Sequence, residues 1–352
     1  MSGRVLLYGA TGYTGRMLAE ALAGRDVDLV LGGRNAAELG AMAERRGLPF
    51  RVFSLAAPAE IDAALADIDV VLHCAGPFVD TGSPMMDACL RGRVHYLDLA
   101  GEWPVFAEAM ARDGAAKAAG VMLMPGVGFT VVATDCLLAL ASARVPGVSR
   151  LRLAVSRPGV ITRGTVTTAA AMVSPTVLVR RGDRLETAPA GRRTHDFDFG
   201  RGLTSATLVS WPDVITGAFT TGVGDIEVYS EADWATRLAY RLSAEASVWT
   251  GAGARRAMSR AFGRVWPEGP SAAGRSRAGF VLVAEAVDPW RRSTTLRMTT
   301  RDGYTVSVIT ACEIVDRVLG GQWAAGFRTP ASVYGGEFIL GLGCASLEAG
   351  GR

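Results

Sequence analysis

The chain has 352 residues, 37 of them Lys or Arg and 34 Asp or Glu, for a formal charge of +3; that length allows two packed units, each with its own core. The charge is too mild, and its arginine pairs too scattered, for nucleic acid to be an expected partner. Mean hydropathy is +0.23, yet no apolar run nears the roughly 20 residues of a spanning helix.

No leader pattern precedes the first apolar run. The five cysteines and three histidines show no paired spacing, so neither a disulfide framework nor a metal site is expected, and a cytoplasmic location is. Up to about residue 145 short β-branched or Leu-rich runs alternate with Ala-rich amphipathic stretches. The runs Val5–Tyr8, Asp28–Leu31, Phe50–Phe53, Val70–Cys74, Tyr96–Leu99 and Val121–Met124 read as strands. Helices are expected around Thr14–Ala23, Ala36–Arg46, Ala59–Ala66, Pro84–Arg91, Val105–Ala119 and Val131–Ser142. Strands and helices alternating at this spacing make βαβ units and a parallel sheet.

After Val145-Pro146-Gly147 the texture changes. Leu151–Ser156, Thr176–Arg180, Ser205–Trp211, Ile226–Tyr229, Phe280–Ala286 and Thr294–Thr300 read as strands of a largely antiparallel sheet, with helices at Thr165–Val173 and Trp234–Phe262 and a mobile loop at Gly263–Gly279. Thr305–Leu319 returns to a helical period. The expected fold is α/β: a Rossmann-type doubly wound domain over 1–145, an α+β second domain over 146–302, and a segment 303–352 that returns to the first domain.

The strongest local signal is Gly9-Ala10-Thr11-Gly12-Tyr13-Thr14-Gly15, directly after a strand and opening a helix. Glycines at this spacing let the backbone turn sharply and approach a pyrophosphate, which the N–H groups and dipole of the helix start then hold. Gly9 is expected to make the turn, Gly12 the close approach and Gly15 the packing of helix on strand. A ligand-free glycine turn is the plain alternative. The second strand runs into Gly32-Gly33-Arg34-Asn35 with no carboxylate at its end to accept from a ribose hydroxyl. Arg34 has a charge and fork geometry suited to a phosphate dianion, so NADP(H) is the expected dinucleotide.

The segments YGATGYTGR, LVLGGRN, HCAGPFVDTG, HYLDLAGE and LMPGVGF, with YTVSVITACEIVDRVL and GFRTPASVYGGEFIL near the C-terminus, resemble the saccharopine dehydrogenase-like NADP-binding reductase family. The likeness is dense through residue 136, recurs at about 303–341 and is looser between. It implies a chain that leaves its Rossmann domain for a substrate and dimerisation domain and returns at the end. It also implies that Ala75, Gly76 and Pro77, with Phe78 beside them, line the nicotinamide-ribose side. In length, composition and Arg163-Gly164-Thr165 the chain looks closer to the shorter trans-acting enoyl reductases, which reduce a double bond on a polyketide or lipid intermediate. The other branch reduces the imine of an amino acid and a semialdehyde.

Candidate chemistry gathers at the carboxyl ends of the strands. Beside the glycine loop, Thr11, Thr14 and Asn35 included, these are Ala75 to Phe78, Asp98 to Glu102, and Pro125-Gly126. Tyr13, Asp98, Glu102 and Asp135 are the candidate acids or stabilisers for hydride transfer, and Tyr96 and Thr130 lie near them. Two readings stand for the carboxyls: a buried acid raised enough to donate a proton, or a structural acceptor for loop N–H groups. The second-domain aromatics Trp211, Phe219, Tyr229, Trp234, Trp249, Trp266 and Trp290 suggest an apolar pocket for a hydrophobic or carrier-bound substrate, a homodimer face, or ordinary core. Reduction of an activated C=C bond is expected first, C=N reduction second, and a catalytically silent NADP(H) sensor is the reading of another class.

Overall fold

The computed structural model describes residues 3–157, 174–246 and 269–349. Among these residues no helix is long and apolar enough to cross a membrane. The chain folds into two compact units, one drawn from the residues up to Val132 together with Tyr304–Val333, the other from Ala133–Gly303 and Tyr334 onward.

In the first unit, β1 (Arg4–Tyr8), β2 (Asp28–Gly33), β3 (Phe50–Val52), β4 (Val70–His73), β5 (His95–Asp98) and β6 (Met122–Met124) form a parallel sheet with Gly326–Phe327, in the order Gly326–Phe327, β6, β5, β4, β1, β2, β3. The continuous apolar runs in β1 and β4 are what a strand covered on both faces requires. Strand order reverses between β1 and β4, the point at which a doubly wound sheet opens a crevice at its carboxyl edge.

Helix α1 (Tyr13–Ala23) buries Gly15, Leu18, Ala19 and Leu22, one stripe at helical spacing. Helix α2 (Ala36–Arg46) is closed at both ends, by Asn35 accepting from Glu38 N–H and by left-handed Gly47. Two expected helices differ. The helix after β4 begins at Phe78 and runs to Gly92 with Pro84 inside it, whereas the sequence predicts a start at that proline. The stretch expected as one helix over Val105–Ala119 is two, Trp103–Ala111 and Asp113–Ala119, parted at Arg112 (φ −91°, ψ 4°).

The helix Gly303–Leu319 belongs to this unit from Tyr304 on. Thr310 Oγ1 donates to the Val127 carbonyl at 2.8 Å, Ser307 Oγ accepts from Phe129 N–H at 3.0 Å, and Arg25 pairs with Asp316. The strand Gly326–Phe327 then extends the sheet beside β6. The sequence predicts the first boundary at 145 and a return of all of 303–352. The compact units instead part inside the helix Phe129–Ala143, and only Tyr304–Val333 returns. The reason for the second difference is pairing: Ala345–Ala349 hydrogen-bonds along Ser293–Arg301 in the second unit.

The second unit holds a nine-stranded sheet with a central path Thr194–Asp198, Leu203–Leu208, Asp225–Glu231, Arg150–Val155, Gly279–Val287, Ser293–Arg301, Ala345–Ala349, and a hairpin Thr176–Arg181/Arg184–Pro189 joined to Asp225–Glu231. It is antiparallel except where Asp225–Glu231 runs parallel to Arg150–Val155. Alternate residues Ala154, Phe197, Ala206, Tyr229 and Val283 build its apolar core. Within the stretch expected as a loop, Ala272–Arg277 is helical, capped by Ser271 Oγ accepting from Gly274 N–H at 3.1 Å. The expected helix Thr165–Val173 lies outside the described residues, as does the part of Trp234–Phe262 beyond the observed Trp234–Ala246.

Candidate functional site

The crevice at the carboxyl edge of the first sheet is framed by three loops tied together through backbone. Gly9 and Ala10 N–H both donate to the Gly32 carbonyl, at 2.9 and 3.3 Å, binding the loop after β1 to β2. Cys74 N–H donates to the Tyr8 carbonyl at 2.7 Å, binding β4 to β1. Gly9 has φ +88°, and a Cβ there would stand 2.8 Å from Ala75 N, so only glycine lets the β1 and β4 loops approach this closely. A Cβ on Gly15 would stand 2.2 Å from the Gly9 carbonyl oxygen; its absence lets α1 seat on the loop.

Gly12 is different. A Cβ there would meet a single protein atom within 4 Å, the Gly9 carbonyl oxygen at 3.3 Å, and the residue is exposed. The bare backbone at Gly12 therefore faces open space, not a packing neighbour. The helix it caps has no side-chain cap and no acidic residue in its first turn. Its positive dipole end is left available to an anion, in contrast to the self-capped α2. Thr11 lies in the loop, its carbonyl accepting from Arg16 Nη1 at 2.5 Å. Thr14 is half-buried on the first turn, and Tyr13 meets Tyr304 edge-on at 5.0 Å.

Arg34 follows β2 at the same edge and is exposed. Among the described residues no carboxylate forms an ion pair with it, and its charge is felt at Tyr8. Asn35 is engaged as the cap of α2, at 3.3 Å from Glu38 N. These features fit NADP(H): a backbone cradle open at Gly12, an uncommitted helix start, and an unpaired guanidinium where an NAD site would carry an acid.

The candidate acids are strongly placed. Asp98 is fully buried and accepts three hydrogen bonds, from Ala100 N–H at 2.8 Å, Gly126 N–H at 2.7 Å and Tyr96 Oη at 2.7 Å. Burial pushes its pKa up to about 7, against the pull of those same donors. Glu102 bridges two loops, taking Phe78 N–H at 3.1 Å and Gly101 N–H at 2.9 Å, and burial raises it too. Both carboxyls therefore shape loops at the carboxyl edge. Gly126 is buried, and a Cβ on it would stand 2.7 Å from Val131 and 2.8 Å from Phe106; packing accounts for it. Asp135 belongs to the second unit, where it accepts from Thr220 Oγ1 at 2.6 Å.

The loop after β4 has a support that the sequence alone does not announce. His73 is fully buried, ringed by Tyr8, Phe78 and Tyr96, and burial lowers its pKa to about 3. Its Nε2 lies 3.0 Å from Thr81 Oγ1, and Thr81 in turn reaches the Ala75 carbonyl at 2.7 Å and the Pro77 carbonyl at 3.0 Å. With the hydroxyl hydrogen committed to a carbonyl, Nε2 carries the proton and Nδ1 stays bare, without a hydrogen-bond partner among the described residues. The neutral imidazole thus braces Ala75-Gly76-Pro77, where Gly76 is exposed and the Gly76–Pro77 peptide is cis. The one available signal is the His73-Cys74 pair that ends β4 directly before this loop.

The second-unit aromatics are dispersed in role. Tyr229 is core, Phe219 and Trp290 are exposed, and Arg292 sits over the Trp290 ring at 5.3 Å. Trp249 and Trp266, and the Trp234 side chain, lie outside the described residues.

Comparison with known proteins agrees with this geometry. Residues 5–124 match the model of the saccharopine dehydrogenase NADP binding domain. A putative trans-acting enoyl reductase of Mycobacterium tuberculosis is 35% identical over 109 residues, 29% of this chain and 26% of the relative. A saccharopine dehydrogenase-like oxidoreductase of Homo sapiens is 28% identical over 152 residues, 37% of this chain and 35% of the relative. The chain thus matches about a quarter to a third of the length of these relatives. The solved saccharopine dehydrogenase (L-Glu forming) of Saccharomyces cerevisiae shares the fold over 99% of this chain and 100% of that one, with a TM-score of 0.67 and 12% identity. The first unit of this chain carries a saccharopine dehydrogenase-type NADP-binding domain.

Proposed function

We propose that the chain is an NADPH-dependent reductase acting on an activated C=C bond of a hydrophobic or carrier-tethered biosynthetic intermediate. The observation that carries the cofactor half is the open backbone cradle at Gly12 together with Arg34, which has no ion-pair partner among the described residues. Gly9, Gly12 and the first turn through Thr14 and Gly15 would hold the pyrophosphate, and Arg34 the 2′-phosphate. Ala75, Gly76, Pro77 and Phe78, braced by His73, Thr81 and Glu102, would line the nicotinamide side. When bound, the cofactor supplies a hydride.

Asp98 and Glu102 serve this reaction as fixed acceptors that keep the Ala100–Glu102, Gly126 and Phe78 backbones in place. Each oxygen of Glu102 takes one loop N–H, and Asp98 takes two loop N–H groups on one oxygen and Tyr96 Oη on the other, so we assign proton delivery to neither. Of the candidate acids named from the sequence, Tyr13 stands half-buried at the start of α1. The C=C assignment is supported by likeness to enoyl reductases in the nucleotide-binding half. Whole-chain likeness in fold to a saccharopine dehydrogenase keeps C=N reduction as the second reading.

The test is NADPH absorbance at saturating cofactor, with an enoyl thioester in one cuvette and a 2-oxo acid plus an amino acid in the other. Oxidation with the thioester alone is expected. Oxidation only with the oxo acid and amine would replace the first reading by the second. Tight NADPH binding with oxidation in neither would turn the chain into a sensor.

A further inference from the structure

A pocket of about 300 Å³ lies in the second unit, independent of the nucleotide loop and of the reaction proposed above. Residues just before and within the paired strands Thr194–Asp198 and Leu203–Leu208 line it together with the helix Trp234–Ala246. Arg192, Arg237 and Arg241 line it, with Thr194, Ser205 and the apolar Leu238.

Among the described residues no carboxylate pairs with Arg241, Arg237 reaches only the Ala232 carbonyl at 3.4 Å, and Arg192 has the exposed Glu245 at 4.0 Å. Asp196, opposite Ser205 in the strand pairing, forms no ion pair with any of them. Arg237 and Arg241 stand one turn apart on a single helix, with Asp233 one turn before the first and Glu245 one turn after the second.

The pocket is shaped for these side chains. Gly191 has φ +67°, and a Cβ there would stand 2.3 Å from Arg241 Cγ, so the turn is bare where the arginine stem crosses it. Guanidinium forks match the oxygens of a phosphate, and hydroxyls donate to the oxygens left over. Three cations suit a dianion better than a single carboxylate. The volume is at the small end of ligand pockets, room for a phosphate and a short organic stub and too little for a dinucleotide. We infer that this pocket binds the phosphate group of a small phosphomonoester.

Calorimetric titration of the full chain tests this, with NADP⁺ present at saturation to fill the nucleotide site and ionic strength held constant. Glycerol 3-phosphate is the probe and glycerol the uncharged control. One saturable site for the phosphate and none for glycerol is expected. Arg237→Gln and Arg241→Gln should each weaken it about tenfold or more, while Arg184→Gln, an 83% exposed arginine outside the pocket, leaves it unchanged. Absence of saturable binding, or binding that survives both pocket substitutions, overturns the inference. Should the arginine variants unfold, Thr194→Ala and Ser205→Ala carry the test: weaker binding at an unchanged melting temperature supports the site, and full affinity in both overturns it.

Discussion

The two units of this protein spend buried polarity in different ways. In the first, the groups that matter are backbone: N–H donors of the loops at the crevice are gathered by Asp98 and Glu102, and an uncapped helix start is left over for an anion. In the second, charge is balanced by side chains. Glu227 gathers Arg152, Arg181 and Arg193 with Tyr229 Oη; burial alone would raise it, but those partners hold it at about 2. Asp213, by contrast, is fully buried beside Asp135, and burial lifts it well above the carboxylate range. Thr134 nearby eases this in part, and neither carboxyl oxygen has a hydrogen-bond partner among the described residues. A backbone-defined site tolerates little change in its glycines, whereas a side-chain network is tuned by pH and by single charges.

The sharpest way to break the comparison is at Gly12. A side chain there projects into the space left for the pyrophosphate, while touching only the Gly9 carbonyl in the protein. Gly12→Val should abolish NADPH binding in calorimetry with a circular dichroism spectrum close to wild type. Normal binding would mean the loop is not the phosphate site.

Next in size is Asp98. Asp98→Ala strands two buried N–H donors and the Tyr96 hydroxyl and should cost about 3–5 kcal/mol of stability in urea melts. Asp98→Asn, which keeps the backbone acceptor, should lose about 1 kcal/mol. Equal losses in the two variants would show that backbone acceptance is not what Asp98 provides.

Arg34→Ala comes third, with an expected loss of about 2–4 kcal/mol in NADPH affinity and little change for NADH. An equal loss for both dinucleotides would remove Arg34 as the 2′-phosphate partner.

The smallest effect carries the opposite sign. The raised pKa of Asp213 means its contribution to stability is full below the ordinary carboxyl pKa near 4 and is lost as pH rises through its folded value. Asp213→Asn should therefore match wild type near pH 4 in urea melts and exceed it by a growing margin as the pH rises. A gap that narrows with rising pH would contradict the burial of an unpaired carboxyl. Glu227 works the other way, adding stability above the ordinary pKa that is lost as pH falls toward 2.

How far these features can be read from residues alone follows the same division. The glycine loop, α1 and Arg34 are local: seven consecutive residues after a strand, then one turn after the next strand, so spacing is enough. The helix start before Pro84 and the break at Arg112 escape such a reading, because proline and a single off-helix residue carry ambiguous local signals. Asp98 and Glu102 are recognisable as candidates, but their partners Gly126 and Phe78 come from other loops, which only the strand order brings together. In the second unit Thr194–Asp198 and Ala345–Ala349 are strands of only five residues, made stable by neighbours far along the chain. Asp213 opens a helix that follows a Trp-Pro turn, and nothing in its neighbours announces that both of its oxygens are sealed from water.

The most direct measurement is calorimetric titration of the full wild-type chain with NADPH and with NADH under the same conditions. A cradle open at Gly12 with Arg34 beside it should bind NADPH with one-to-one stoichiometry and at least about tenfold more tightly than NADH. Equal affinities, or tighter binding of NADH, would contradict it.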